Sequence, residues 1–104
     1  MTFDIDINSL LFIGISGHVK AVDKRTGEDV WQVSLPKTGF GLVNLTLEDG
    51  ILYAGTVGLL FALDPMTGRT LWTHGLKGLG QGHIVFATVK STANRPLMEP
   101  ETVQ

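Results

Sequence analysis

The sequence predicts an all-β fold of antiparallel four-stranded, propeller-type blades, about two per chain plus an extra strand, forming a partial propeller or an oligomeric ring. Three observations lead there. The pattern A-x-D-x-x-T-G-x-x-x-W is written twice, as Ala21–Trp31 and Ala62–Trp72, at an offset of 41 residues. The register extends beyond the motif, pairing Leu11 with Leu52, Gly14 with Gly55, Gly17 with Gly58, Leu35 with Leu76, and Gly39 and Gly41 with Gly80 and Gly82. Between the matched glycines lie short apolar runs of strand length, so each copy is a set of consecutive strands and not a helix pair.

Phe3-Asp4-Ile5-Asp6-Ile7 alternates apolar and acidic residues, as a half-exposed strand does. Against Leu42 to Leu47 its apolar phase is inverted, which makes it a poor copy of a blade's first strand. The second copy shows the unit most clearly. Leu42 to Leu47 forms its first strand, and Asp49-Gly50 is a two-residue hairpin signal. Ile51 to Gly55 is the next run, Val57-Gly58 a turn, and Leu59 to Asp64 a third strand. Pro65-Met66-Thr67-Gly68 turns the chain again into Arg69 to Gly75, which carries Trp72. By these criteria blade one covers about 1–35 and blade two about 42–76. An extra strand follows at about 83–89, aligned with 42–48, and a polar tail with Pro96 and Pro100 occupies 91–104.

The motif residues have mechanical roles. Gly27 and Gly68 supply positive φ after the turn. Asp23 and Asp64 accept backbone N–H groups within it, and Thr26 and Thr67 close it from the other side. Ala21 and Ala62 are small where a large side chain lies close, and Trp31 and Trp72 are the large side chains that dock sheet on sheet. Burying one indole removes roughly 150–250 Å² from water.

The A-x-D-x-x-T-G-x-x-x-W motif after an apolar G-x-x-G hairpin resembles the repeat of pyrroloquinoline-quinone-type, quinoprotein alcohol dehydrogenase-like β-propellers. The resemblance covers about residues 10–90 and implies that Trp31 and Trp72 lock adjacent blades. It also raises a quinone- and calcium-dependent dehydrogenase as a possible parent. The family's enzymes hold the quinone with a vicinal disulfide, and this chain has no cysteine. The same family contains propellers without a quinone, such as outer-membrane assembly lipoproteins. Neither pyrroloquinoline quinone nor calcium is therefore expected as a cofactor.

Composition sets further bounds. Hydrophobic residues make up 43% and charged residues 17%, values that fit a folded globular chain. A net charge of −2 with scattered Lys and Arg gives no reason to expect nucleic acid. No apolar run reaches spanning length, so no membrane insertion is expected. With Asp4 and Asp6 at the start in place of a basic region, no secretory signal is evident and a cytoplasmic location is expected. The sequence holds no catalytic elbow, phosphate loop or metal-spaced Cys/His set, so no catalytic residue is assigned.

The expected function is a non-enzymatic binding or assembly module, with a quinone-dependent dehydrogenase fragment as the alternative. The inner strands Leu42–Leu47 and His83–Val89, with loops 36–41 and 77–82, form the expected binding surface, represented by Phe40, Asn44, Gln81 and His83. Two blades leave faces and edges to cover. A homo-oligomer or blades from elsewhere are the expected partners, with a head-to-tail ring as the first model. Its rivals are a two-fold dimer of half-propellers, a monomer whose two end strands cover each other, and a chain continued by flanking sequence. In blade one His18 and Lys20 replace Leu59 and Phe61, which gives that blade a more polar face.

Overall fold

The structure, a computed structural model, describes residues 6–88. The expected strand at Phe3–Ile5 and the tail at 91–104 lie outside the described residues. Seven strands form two antiparallel sheets. The first sheet contains β1 (Leu10–Ile15), β2 (His18–Asp23) and β3 (Asp29–Ser34) in that order. The second contains β4 (Asn44–Glu48), β5 (Ile51–Thr56), β6 (Leu59–Leu63) and β7 (Thr70–His74).

Turn chemistry explains the hairpins. Ser16-Gly17, Asp49-Gly50 and Val57-Gly58 all have positive φ at both residues, the primed geometry whose twist suits two-residue connections. The longer turns are near-identical between copies. The Asp23 carbonyl accepts from Thr26 and Gly27 N–H at 3.2 and 2.6 Å, and the Asp64 carbonyl from Thr67 and Gly68 at 3.3 and 2.7 Å. The Asp23 and Asp64 carboxylates each accept a backbone N–H two residues on, at 2.9 Å in both. Thr26 and Thr67 hydroxyls accept from Glu28 and Arg69 N–H at 3.2 Å.

Both sheets also break register at one place. The ladder shifts between Ala21 and Val22, and again between Ala62 and Leu63, leaving Val30 and Leu71 unpaired. These bulges set the indoles directly across from the alanines, Ala21 opposite Trp31 and Ala62 opposite Trp72. Both alanines are fully buried.

The core lies between the two sheets. Because side chains alternate across a strand, Phe12, Val19, Trp31 and Val33 of the first sheet share one face. They pack with Leu52, Ala54, Leu59, Phe61 and Leu63 from a single face of the second. Leu35 and Val43 fill the corner where the chain passes between blades. That passage is tight: a Cβ on Gly14 would lie 2.8 Å from Val43, so glycine is what lets the connection cross β1.

Two expectations at the ends differ from the structure. Asp6 and Ile7 do not continue a strand, because the Asp6 carboxylate caps a single-turn 3-10 helix, Ile7–Ser9, by accepting from Asn8 N–H at 3.1 Å. The first blade thus has three strands among the described residues, not four. The expected strand at 83–89 is also without a ladder through residues 82–88. It follows the path of β4, since Ile84 crosses Gly55 as Val43 crosses Gly14. Its ladder partner would be the second strand of a third blade, which is not present among the described residues.

Candidate interaction surface

The seam between blades is built around Trp31. Its Nε1 donates to the Pro65 carbonyl at 2.9 Å, and its six-membered ring lies on Gly68. A Cβ at Gly68 would sit 2.5 Å from Trp31 Cε3, and φ there is +81°, so glycine is required on both counts. Phe12 supports the other side of the indole with ring centroids 6.1 Å apart.

Trp72 has the same local setting, with Tyr53 in place of Phe12 at 6.0 Å, but no third blade lies beyond it among the described residues. It is 47% exposed. Of the two indoles expected to be buried at seams, Trp31 is partly buried at its seam, and Trp72 is not. Burial of this residue depends on a neighbouring sheet and not on its own repeat.

The loops present a second surface. Phe40 is 89% exposed, and Leu79 and Val85 are 77% and 80% exposed. Gln81 is exposed and lines an open cleft of about 310 Å³ with Lys37, Leu59 and Leu76, between the two inter-blade loops. His83 is exposed and lines an adjoining cleft with Leu76, Leu79 and Ile84. Asn44 is half-buried, and its amide donates to the Ile84 carbonyl, tying β4 to the incoming segment. Gln81 and His83 thus flank neighbouring clefts, Phe40 stands out from its loop, and Asn44 is committed to a structural bond. Leu79 and Val85 lie in the 77–82 loop and the 83–89 segment expected to form this surface, though neither is among the four residues that represent it.

Charge is sparse on this surface. Lys20 pairs with Asp29 at 3.0 Å on the outer face of blade one. Arg25 grips Asp23 through two side-chain hydrogen bonds, at 3.0 and 2.8 Å. Those bonds, with the Arg25 backbone N–H, hold the Asp23 carboxyl down at about 2. Among the described residues no three His, Asp or Glu side chains converge as metal ligands would. Nor is any helix there long and apolar enough to cross a membrane.

Comparison with known proteins fits this geometry. Residues 16–103 match the family model described as outer membrane protein assembly factor BamB. The chain belongs to this family of pyrroloquinoline-quinone-type propeller repeats. Among solved structures it is similar to BamB from Moraxella catarrhalis, at 28% identity and a TM-score of 0.54. That match covers 64% of this chain and 21% of the BamB chain. It is also similar to quinohemoprotein alcohol dehydrogenase from Comamonas testosteroni, at 27% identity and a TM-score of 0.58, over 71% of this chain and 13% of that one. The chain thus spans a small part of either relative. A search of the curated proteins found no match. Within the family, the Trp31 contact is a complete blade-to-blade lock, and the Trp72 position is the same lock left open.

Proposed function

We propose that this chain is a non-enzymatic binding or assembly module whose inter-blade loops engage a partner protein. The observation that carries this reading is the set of large apolar side chains held in water on loops braced by the blades: Phe40, Leu79 and Val85. Exposed apolar surface on a rigid scaffold favours protein contact. The match to the family model described as an outer membrane protein assembly factor supports the same direction.

The dehydrogenase reading draws support from the second solved relative. The residues present do not fit its cofactor. There is no cysteine for a vicinal disulfide, Trp31 is occupied by the seam, and no carboxylate group converges for calcium among the described residues.

The test has two arms. A dye-linked alcohol oxidation assay with added pyrroloquinoline quinone and calcium is expected to give no turnover and no rise in melting temperature. Titration with a synthetic peptide of alternating apolar and polar residues, the pattern of a barrel strand, is expected to shift the NMR signals of Phe40, Leu79, Gln81 and His83. Turnover in the first arm, or an unperturbed spectrum in the second, removes the reading.

A further inference from the structure

We propose that the chain associates with itself head to tail, blade two of one copy docking on blade one of the next through Trp72. The internal seam is the template. Trp31 binds a turn whose reference points are the Pro65 carbonyl and Gly68, and 41 residues earlier the same turn recurs with Lys24 and Gly27. The two turns share their hydrogen-bond scheme, and φ is +80° at Gly27 against +81° at Gly68. The difference is occupancy. A Cβ on Gly68 would collide with an indole, whereas one on Gly27 would meet nothing within 4 Å among the described residues. Among the described residues the chain therefore carries an open lock on blade two, Trp72, and an open receiving turn on blade one.

A second correspondence points to the same pairing. Ile84 crosses Gly55 as Val43 crosses Gly14, which brings residues 85–88 to the place that β4 would hold in a third blade. Among the described residues no strand pairs with the outer edge of β1, the edge that β4 occupies in blade two. Transferring the β4–β5 register sets Val85 opposite Gly14, Phe86 opposite Ile13, Ala87 opposite Phe12 and Thr88 opposite Leu11 of a second copy. Leu11 and Ile15, both exposed on β1, then gain cover. Two, three or four copies close rings within the roughly four to eight blades of known propellers.

The receiving face differs from its template where His18 and Lys20 replace Leu59 and Phe61, and the second change sets affinity. Lys20, paired with Asp29, stands where the buried Phe61 stands in blade two. Covering an ion pair costs desolvation that covering a phenyl ring does not, so the intermolecular seam is weaker than the internal one. The association is therefore expected at about micromolar to millimolar protein concentration, and Lys20→Phe should strengthen it.

This inference rests on the repeat geometry and not on what the loops bind, and its readout is mass. Light scattering across that concentration range should show the native chain rising to integer multiples of the protomer. Trp72→Ala should weaken this by about tenfold or more, and Lys20→Phe should tighten it. Trp72 is half-exposed, so its loss leaves the fold in place, which circular dichroism checks. Because the native chain lacks cysteine, mixing a Leu11→Cys chain with a Thr88→Cys chain reads the strand register directly. Antiparallel partners stand about 4.5–5.5 Å apart at Cα, within disulfide reach, so a covalent pair of the two different chains is expected under mild oxidation. A native chain that stays monomeric to millimolar concentration overturns the proposal. So does association that Trp72→Ala leaves unchanged, or the absence of the mixed disulfide.

Discussion

Trp31 and Pro65 are 34 residues apart in sequence, yet the indole Nε1 of one donates to the carbonyl of the other at 2.9 Å. This bond, with the ring lying on Gly68, is where two sheets become one body. A four-stranded sheet alone exposes both faces, and the Trp31 contact gives the chain a shared core.

Trp31→Ala should destabilise the fold by about 3–5 kcal/mol, as other aromatic truncations in packed cores do. Trp31→Phe should lose about 1 kcal/mol of hydrogen bonding and some contact area. Trp72→Ala, measured at concentrations too low for association, should cost far less. Urea unfolding of the three variants checks the order, and equal effects from Trp31→Ala and Trp72→Ala would contradict the seam as described.

The two turn glycines separate strain from collision. Gly27→Ala meets open space and should cost about 1–2 kcal/mol for a side chain at positive φ. Gly68→Ala carries that same cost and also drives a methyl group into the indole, so its loss of stability should exceed that of Gly27→Ala clearly. Denaturation midpoints of the two proteins give the comparison.

Asp23 supplies a pH test. Its carboxyl is lowered from 3.8 to about 2 by the Arg25 side chain first, and then by the Arg25 backbone N–H. A depressed carboxyl contributes stability that is complete above the unfolded value and lost as pH falls through the folded one, here between about 4 and 2. Arg25→Met should raise the Asp23 midpoint toward 3.8, read from its side-chain carbon in an NMR titration. An unchanged midpoint would mean that Arg25 is not the cause.

Thr56 is fully buried, and its hydroxyl has no hydrogen-bond partner among the described residues. Replacing a buried, unpaired hydroxyl by a methyl of similar shape removes a desolvation cost of about 1–3 kcal/mol. Thr56→Val should therefore leave stability unchanged or raise it, and a clear loss in thermal unfolding would show that the hydroxyl is satisfied in solution.

Much of this was legible in the residues, for reasons that differ by element. The Asp-x-x-Thr-Gly turns could be read because their bonds are local, closed within five residues. Trp31 at a seam could be read because the second copy supplied its docking turn. Trp72 is the instructive failure: an identical motif gives a different burial, since the deciding surface is not local to it. The segment after Gly82 failed for a related reason. Its apolar pattern suits a strand, but pairing needs an edge that the described chain does not offer it. Asp6 went the other way, because a carboxylate able to cap the Ile7–Ser9 turn competes with extended pairing. Of the surface residues, Phe40 and His83 are exposed as a contact surface requires, while Asn44 spends its amide on Ile84.

Gly14 under Val43 and Gly55 under Ile84 act as two fixed crossing points, each glycine lying 29 positions before the side chain above it. Insertions or deletions inside either stretch would drag the crossing off its glycine, so of the described hairpins the Asp49-Gly50 tip, which lies outside both stretches, tolerates a change of length most readily. A unit of constant pitch follows. Appending another 41-residue copy after Thr88 should extend the stack without redesigning any existing contact, which makes this chain a natural tile for building longer arrays.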